Sequence, residues 1–254
     1  MTGPGGLYVY AVVRGAPADP GTGIDDAPLR VVTVDGLSAV VHHHDDGPLT
    51  GSDDDVRRRV VEHSDAVDRL WQGGSTLLPM TFNVIVAGTE DESAQSRLES
   101  WLTRHAEELL ARLDRVDGRV ELRVEIGLDQ QEAARGDPDA EAVRAELEAR
   151  PPGVQRLLRK RLDRIERDVA GALADDLYQG YRRRLAGVSQ ELTENRGARA
   201  EPGVVPVLSF SLLVTREESG AVGQELAAIR DEQPAARIRY LGPWPPYSFA
   251  DVPQ

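Results

Sequence analysis

Cysteine is absent from these 254 residues, which excludes disulfides, thiolate metal sites and thiol nucleophiles and suits a reducing interior. Aromatic residues make up only 5%, and lysine occurs once, at Lys160. No run approaches the roughly 18 apolar residues that a membrane span needs. The opening MTGPGGLYVY lacks the basic flank and apolar stretch of a secretion signal or anchor. Positive charge is also short: 30 Lys and Arg against 43 Asp and Glu leave a formal charge of -13. Nucleic acid and anionic membranes both demand a positive field, so neither is an expected partner. The expectation is a soluble, cytoplasmic protein.

What is present is enough apolar residue, 40%, to fill the cores of two ordinary domains. LYVYAVV at residues 7–13 predicts a central strand, with Leu7, Val9, Ala11 and Val13 alternating against Tyr8, Tyr10 and Val12. Residues 29–44 predict a hairpin, with Asp35 and Gly36 supplying the left-handed backbone of a tight turn. A helix follows on Val56, Val60, His63, Val67 and Leu70, stopped by Gly73 and Gly74. Residues 75–88 are extended around Pro79. One helix over 91–116 then carries Leu98, Leu102, Leu109 and Leu113 along one side.

A second unit opens at RVELRVEIGL, residues 119–128, whose alternation predicts a sheet with one wet face. Helix is expected from 139, broken at Arg150, Pro151, Pro152 and Gly153, then again over 154–192 on Leu158, Leu162, Ile165, Val169, Leu173 and Leu177. Some 38 residues at about 1.5 Å each make a rod near 57 Å, so the shorter helix is expected to fold back on it as an antiparallel hairpin or short coiled coil. A polar linker at 194–205, a strand at 205–214, a helix at 217–232 and a last strand at 236–242 complete the unit. The fold expected is α+β: two modified ferredoxin-like domains, 1–117 and 118–254, the second carrying the helical hairpin at about 139–192 and a proline and aromatic tail.

No catalytic constellation emerges. Ser38 and Ser75 lack the context of a nucleophile elbow and read as turn residues. The glycine pairs do not continue into a phosphate loop. His42, His43 and His44 beside Asp45 and Asp46 are the best metal candidate, but alternation puts His43 on the opposite face from the other two. Three solvated histidines at a strand end is the expectation, with no metal and no cofactor. His63 reads as a hydrogen-bonded core residue. Asp53 to Asp55 read as a helix cap and Asp25 with Asp26 as a loop. Arg156, Arg159, Lys160, Arg161, Arg164 and Arg167 form the basic patch, read as a solvated coiled-coil face that could also dock an acidic partner.

The bulk missing elsewhere gathers at residues 241–249, LGPWPPYSF. Pro243, Pro245 and Pro246 fix their backbone angles and lack amide protons, so the segment edges or caps a sheet. Trp244, Tyr247 and Phe249 each bury on the order of 150 to 250 Å² and anchor whatever they meet. Two readings follow: a lid on the second domain's core, or an exposed surface for a partner protein.

This tail resembles the C-terminal signature of the GvpL/GvpF family of gas vesicle accessory proteins. YVYAVV resembles the family's first strand, LLPMTF at 77–82 its L-P-x-R-F-G segment, and GVQRLLRKR at 153–161 its G-x-Y-L-x-K-R stretch. Thr81 and Asn83 depart from the expected Arg and Gly, and Gln155 and Arg156 from Ala and Tyr. The resemblance implies a non-enzymatic assembly factor or minor structural component of the gas vesicle, binding the small hydrophobic main shell protein and other gas vesicle accessory proteins. The partner-binding candidates are Pro243, Trp244, Pro245, Pro246, Tyr247 and Phe249. The rival expectation is a regulatory or enzymatic protein holding a ligand on a ferredoxin-like sheet face.

Overall fold

The structure, a computed structural model, describes residues 5–45, 47–195 and 201–252. It is a mixed α+β chain in two compact units, Met1–Val120 with Trp244–Gln254, and Glu121–Pro243. Its elements are β1 (Gly6–Arg14), β2 (Arg30–Val34), β3 (Leu37–His43), α1 (Asp53–Gln72), β4 (Leu77–Pro79), β5 (Ile85–Ala87), α2 (Ala94–Arg104) and α3 (Ala106–Val116). They continue with β6 (Arg119–Asp129), α4 (Gln130–Ala133), α5 (Pro138–Ala149), α6 (Pro152–Gly187), β7 (Glu191–Glu194), β8 (Val204–Thr215), α7 (Ser219–Glu232) and β9 (Ala236–Trp244).

The first unit's sheet runs β2-β3-β1-β4, with β5 also paired to β1 and each of these pairings antiparallel. As expected, β1 is central. Its register on β3 shifts between Val9 and Ala11, a bulge that changes which residues share a face. Tyr8, Tyr10, Ala11 and Val13 therefore lie in one apolar cluster with Val67 and Leu70 of α1, in place of the simple alternation. Helix α1 begins at Ser52, whose hydroxyl accepts from the Asp55 amide, so the cap is Ser52 and the aspartates occupy the first turn. Ser38 is not a turn residue: it is buried on β3, bonded to Thr33 at 2.8 Å.

The helix expected over 91–116 is two helices, broken at His105 with φ −104° and ψ 11°. Leu98, Leu102, Leu109 and Leu113 are all buried and stay in phase across the break, so periodicity carried no trace of it. The Thr103 hydroxyl donates to the Glu99 carbonyl at 2.9 Å, a back-bond that bends helices.

The second unit's sheet runs β7-β8-β6-β9. Helix α6 ends at Gly187 rather than continuing to 192, and residues expected to be helical instead form β7, antiparallel to β8. At 36 residues α6 is about 54 Å long. Its later half packs on the sheet through buried Ala170, Ala174, Tyr181 and Leu185, and the Tyr178 ring meets Phe210 in a tilted contact at 6.3 Å. Its first half runs antiparallel to α5: Arg144 reaches Glu166 at 2.8 Å and Gln155 donates to the Leu147 carbonyl at 3.4 Å. Arg184 ties α6 to α7 through Glu225 and Glu232.

Candidate functional site

The tail leaves β9 and joins the first unit, which corrects the expectation that it closes the second. Pro245, Pro246 and Phe249 are buried, Tyr247 is half-buried against the first unit's Tyr8 and Tyr10 cluster, and Pro243 and Trp244 are exposed. Trp244, at 38% exposure, is therefore not a core lid. Just before the prolines, Gly242 has φ +112°, and a Cβ there would meet the Glu121 carbonyl at 2.7 Å, so only glycine passes. Beyond it a 3-10 turn at Tyr247–Phe249 is held by the Tyr247 amide on the Pro245 carbonyl at 2.8 Å. Arg115 of α3 lies over the Phe249 ring at 5.9 Å, and Arg112 donates to the Ala250 carbonyl at 3.5 Å.

Beside the tail is a groove of about 780 Å³, of the size that ligand and peptide sites have. Its apolar lining includes Ile85 and Val86 of β5, Leu98 and Trp101 of α2, and Tyr247 and Val252 of the tail. Arg97, Arg104, Glu92 and Asp251 supply its charge. Arg97 also donates to the Ala87 carbonyl, bracing α2 against β5.

Two Tyr–His pairs lie in the core of this unit. The Ile24 amide donates to Tyr10 Oη at 2.8 Å, which directs the hydroxyl proton to His42 Nδ1, also at 2.8 Å. The Asn83 amide donates to Tyr8 Oη at 3.0 Å, the Tyr8 hydroxyl to His63 Nδ1 at 3.0 Å, and His63 Nε2 to the Met80 carbonyl at 3.0 Å. Each bond is satisfied with both imidazoles neutral. Burial, helped by His44, pulls the His42 pKa down to about 4, and burial lowers that of His63. Burial also pushes Tyr8 up to about 12 and raises Tyr10. These are the properties of a structural network, and His42 is not the solvated residue expected at the strand end: it is 5% exposed. His43 is exposed, and Asp46 lies outside the described residues. Among the described residues no three His, Asp or Glu gather as a metal site, and no helix is long and apolar enough to cross a membrane.

Residues 6–251 match the model of the gas vesicle synthesis protein GvpL/GvpF family. The chain belongs to the GvpL/GvpF family. Gas vesicle protein L2 of Halobacterium salinarum is 33% identical, the match covering 96% of this chain and 91% of that protein. Gas vesicle protein L of a Streptomyces species is 28% identical over 96% and 92%. The crystal structure of GvpF from Microcystis aeruginosa superposes with a TM-score of 0.67 at 21% identity, covering 97% of this chain and 99% of that one. GvpF from Anabaena gives 0.71 at 18%, covering 98% of both. At these identities the two structures show the fold alone.

Membership places this GvpL/GvpF chain in gas vesicle formation. Of the family-type tail, the structure exposes Pro243 and Trp244 and uses Pro245, Pro246 and Phe249 inside the first unit. The groove residues Ile85, Val86 and Trp101 were not singled out from sequence. Trp101 follows the buried Leu98 by one helical turn, the one signal that it shares that side of α2.

Proposed function

We propose that this protein is a non-enzymatic gas vesicle assembly factor or minor structural component that works in the cytoplasm and at the gas vesicle. Its partner is the small hydrophobic main shell protein, with other gas vesicle accessory proteins as further partners. The reading is supported above all by family membership over residues 6–251 combined with a groove of mixed apolar and charged lining whose wall includes the family-type tail. In it Trp244 and Pro243 meet the partner directly, Tyr247 and Trp101 line the groove, and Pro245, Pro246 and Phe249 hold the tail in place. An acidic chain of net charge -13 suits keeping an aggregation-prone apolar subunit dispersed until it polymerises.

We also take the two units as separately folding domains of modified ferredoxin-like type. Support comes from strand order: β7-β8-β6-β9 and β2-β3-β1-β4 each put the unit's first strand at the centre beside its third. The α5–α6 pair is in this reading a short coiled coil.

Co-expression with the shell protein followed by co-sedimentation tests the function. The full chain is expected to carry the shell protein with it at micromolar concentration, and the double variant Trp101→Ala, Trp244→Ala to carry about tenfold less. A folded wild-type chain that sediments alone, or a variant that binds as well as the wild type, overturns the reading.

A further inference from the structure

We propose that the first half of α6 carries a docking stripe for an acidic amphipathic helix of a partner protein. The proposal rests on the second unit and is independent of the shell-protein reading. Arg156, Lys160, Arg164 and Arg167 recur at intervals of four, four and three, which aligns them along one helix face for about 17 Å. Arg161 and Leu157 border that line, and all six side chains are exposed. None of the five cations has a carboxylate at ion-pair distance among the described residues, whereas Arg14, Arg58, Arg112, Arg144, Arg184 and Arg239 all do.

Two physical features argue that the stripe is not simply a solvated helix face. Glu166, the acidic residue that dilutes the stripe in sequence, is turned inward onto Arg144 and is only 4% exposed, which leaves Asp163 and Asp168 as the exposed carboxylates nearby. Next to the cations, Leu157 is 71% exposed and Val154 43%, the first and third highest values among the large apolar residues described.

The chemistry selects the occupant. Four cations at helical spacing match carboxylates at helical spacing, and Leu157 matches an apolar residue beside them. Two apolar side chains are too few to insert into a lipid interface. A long polyanion such as duplex DNA would run beyond a stripe of about 17 Å into the field of a chain with net charge -13, while a short acidic helix would not.

The test uses the full chain and a fluorescein-labelled helical peptide with glutamates along one face and leucines beside them. Controls are a scrambled peptide, duplex DNA and phosphatidylglycerol vesicles. Wild-type protein is expected to bind the helical peptide, less tightly as salt rises, and the variant Arg156→Glu, Lys160→Glu, Arg164→Glu, Arg167→Glu to lose at least about tenfold in affinity. The same four positions changed to Gln keep the test valid if reversal unfolds the helix, and Leu157→Ser is expected to weaken binding further at high salt. Equal binding by wild type and the Gln variant, no preference for the helical over the scrambled peptide, or tighter capture of DNA or vesicles overturns the proposal. So does sedimentation showing that a second copy of the chain already covers the stripe.

Discussion

The Tyr10 hydroxyl donates to His42 Nδ1 at 2.8 Å while its oxygen accepts the Ile24 amide, so one side chain joins β1, β3 and the loop at residues 24–26. Tyr8 does the same for His63 on α1 and Asn83. Both histidines are buried inside the unit that carries the tail, and burial favours their neutral form, with measurable consequences.

The first concerns pH. His42 titrates near 4 when folded and near 6.5 when unfolded, so between these values the unfolded chain binds the extra proton. Its contribution is complete above about pH 6.5 and is lost as pH falls toward 4, by roughly 3 kcal/mol. His63 acts with the same sign. His44, Asp25 and His43 also act electrostatically on His42, so the comparison must be with a variant. Urea unfolding from pH 4 to 7.5 should show stability climbing steeply for wild type and less so for His42→Gln; parallel slopes would contradict the assignment.

Removing the hydroxyls gives a second prediction. Tyr10→Phe leaves the Ile24 amide and His42 Nδ1 without their buried partner, and Tyr8→Phe strands the Asn83 amide and His63 Nδ1. Each is expected to cost about 1–3 kcal/mol, read as a lower urea midpoint at unchanged slope.

Glycine position decides the sign of a third pair. Gly242→Ala meets both a positive φ and the Glu121 carbonyl and should destabilise by 2 kcal/mol or so. Gly171→Ala lies within α6, where nothing is within 4 Å of the added methyl, and should stabilise by about 0.5–1 kcal/mol. Opposite shifts in melting temperature are the expected result.

The fourth concerns the ion pair of the helical hairpin between half-buried Arg144 and buried Glu166. Glu166 holds the Arg144 guanidinium more firmly protonated, and Arg144→Ala would abandon a buried carboxylate at a cost of about 3–5 kcal/mol. Replacing both, as Arg144→Met with Glu166→Met, should cost far less. Equal losses in the two variants would show that packing, not the stranded charge, dominates.

Much of the architecture was legible because burial writes itself into local spacing. The alternation in β6 and β8, the turn at Asp35 and Gly36, the stops at Gly73 and at Pro151 with Pro152, and the core role of His63 are all consequences of near neighbours. The break at His105 was invisible because the leucines on either side remain in phase, and β7 was missed because ELTE follows a helical stripe without a strong breaker between them.

By itself the sequence determined the family, the two successive α+β patterns, the long helix and the presence of a rigid aromatic tail, since composition, periodicity and proline geometry act within a few residues of where they are written. Only the tertiary structure decided that this tail belongs to the first unit, that a bulge sets Tyr10 against His42, and that Glu166 turns inward and leaves its basic neighbours bare. Those outcomes depend on which distant surfaces meet, as Phe249 meets Arg115 across more than half the chain, and no local pattern encodes a pairing at that separation.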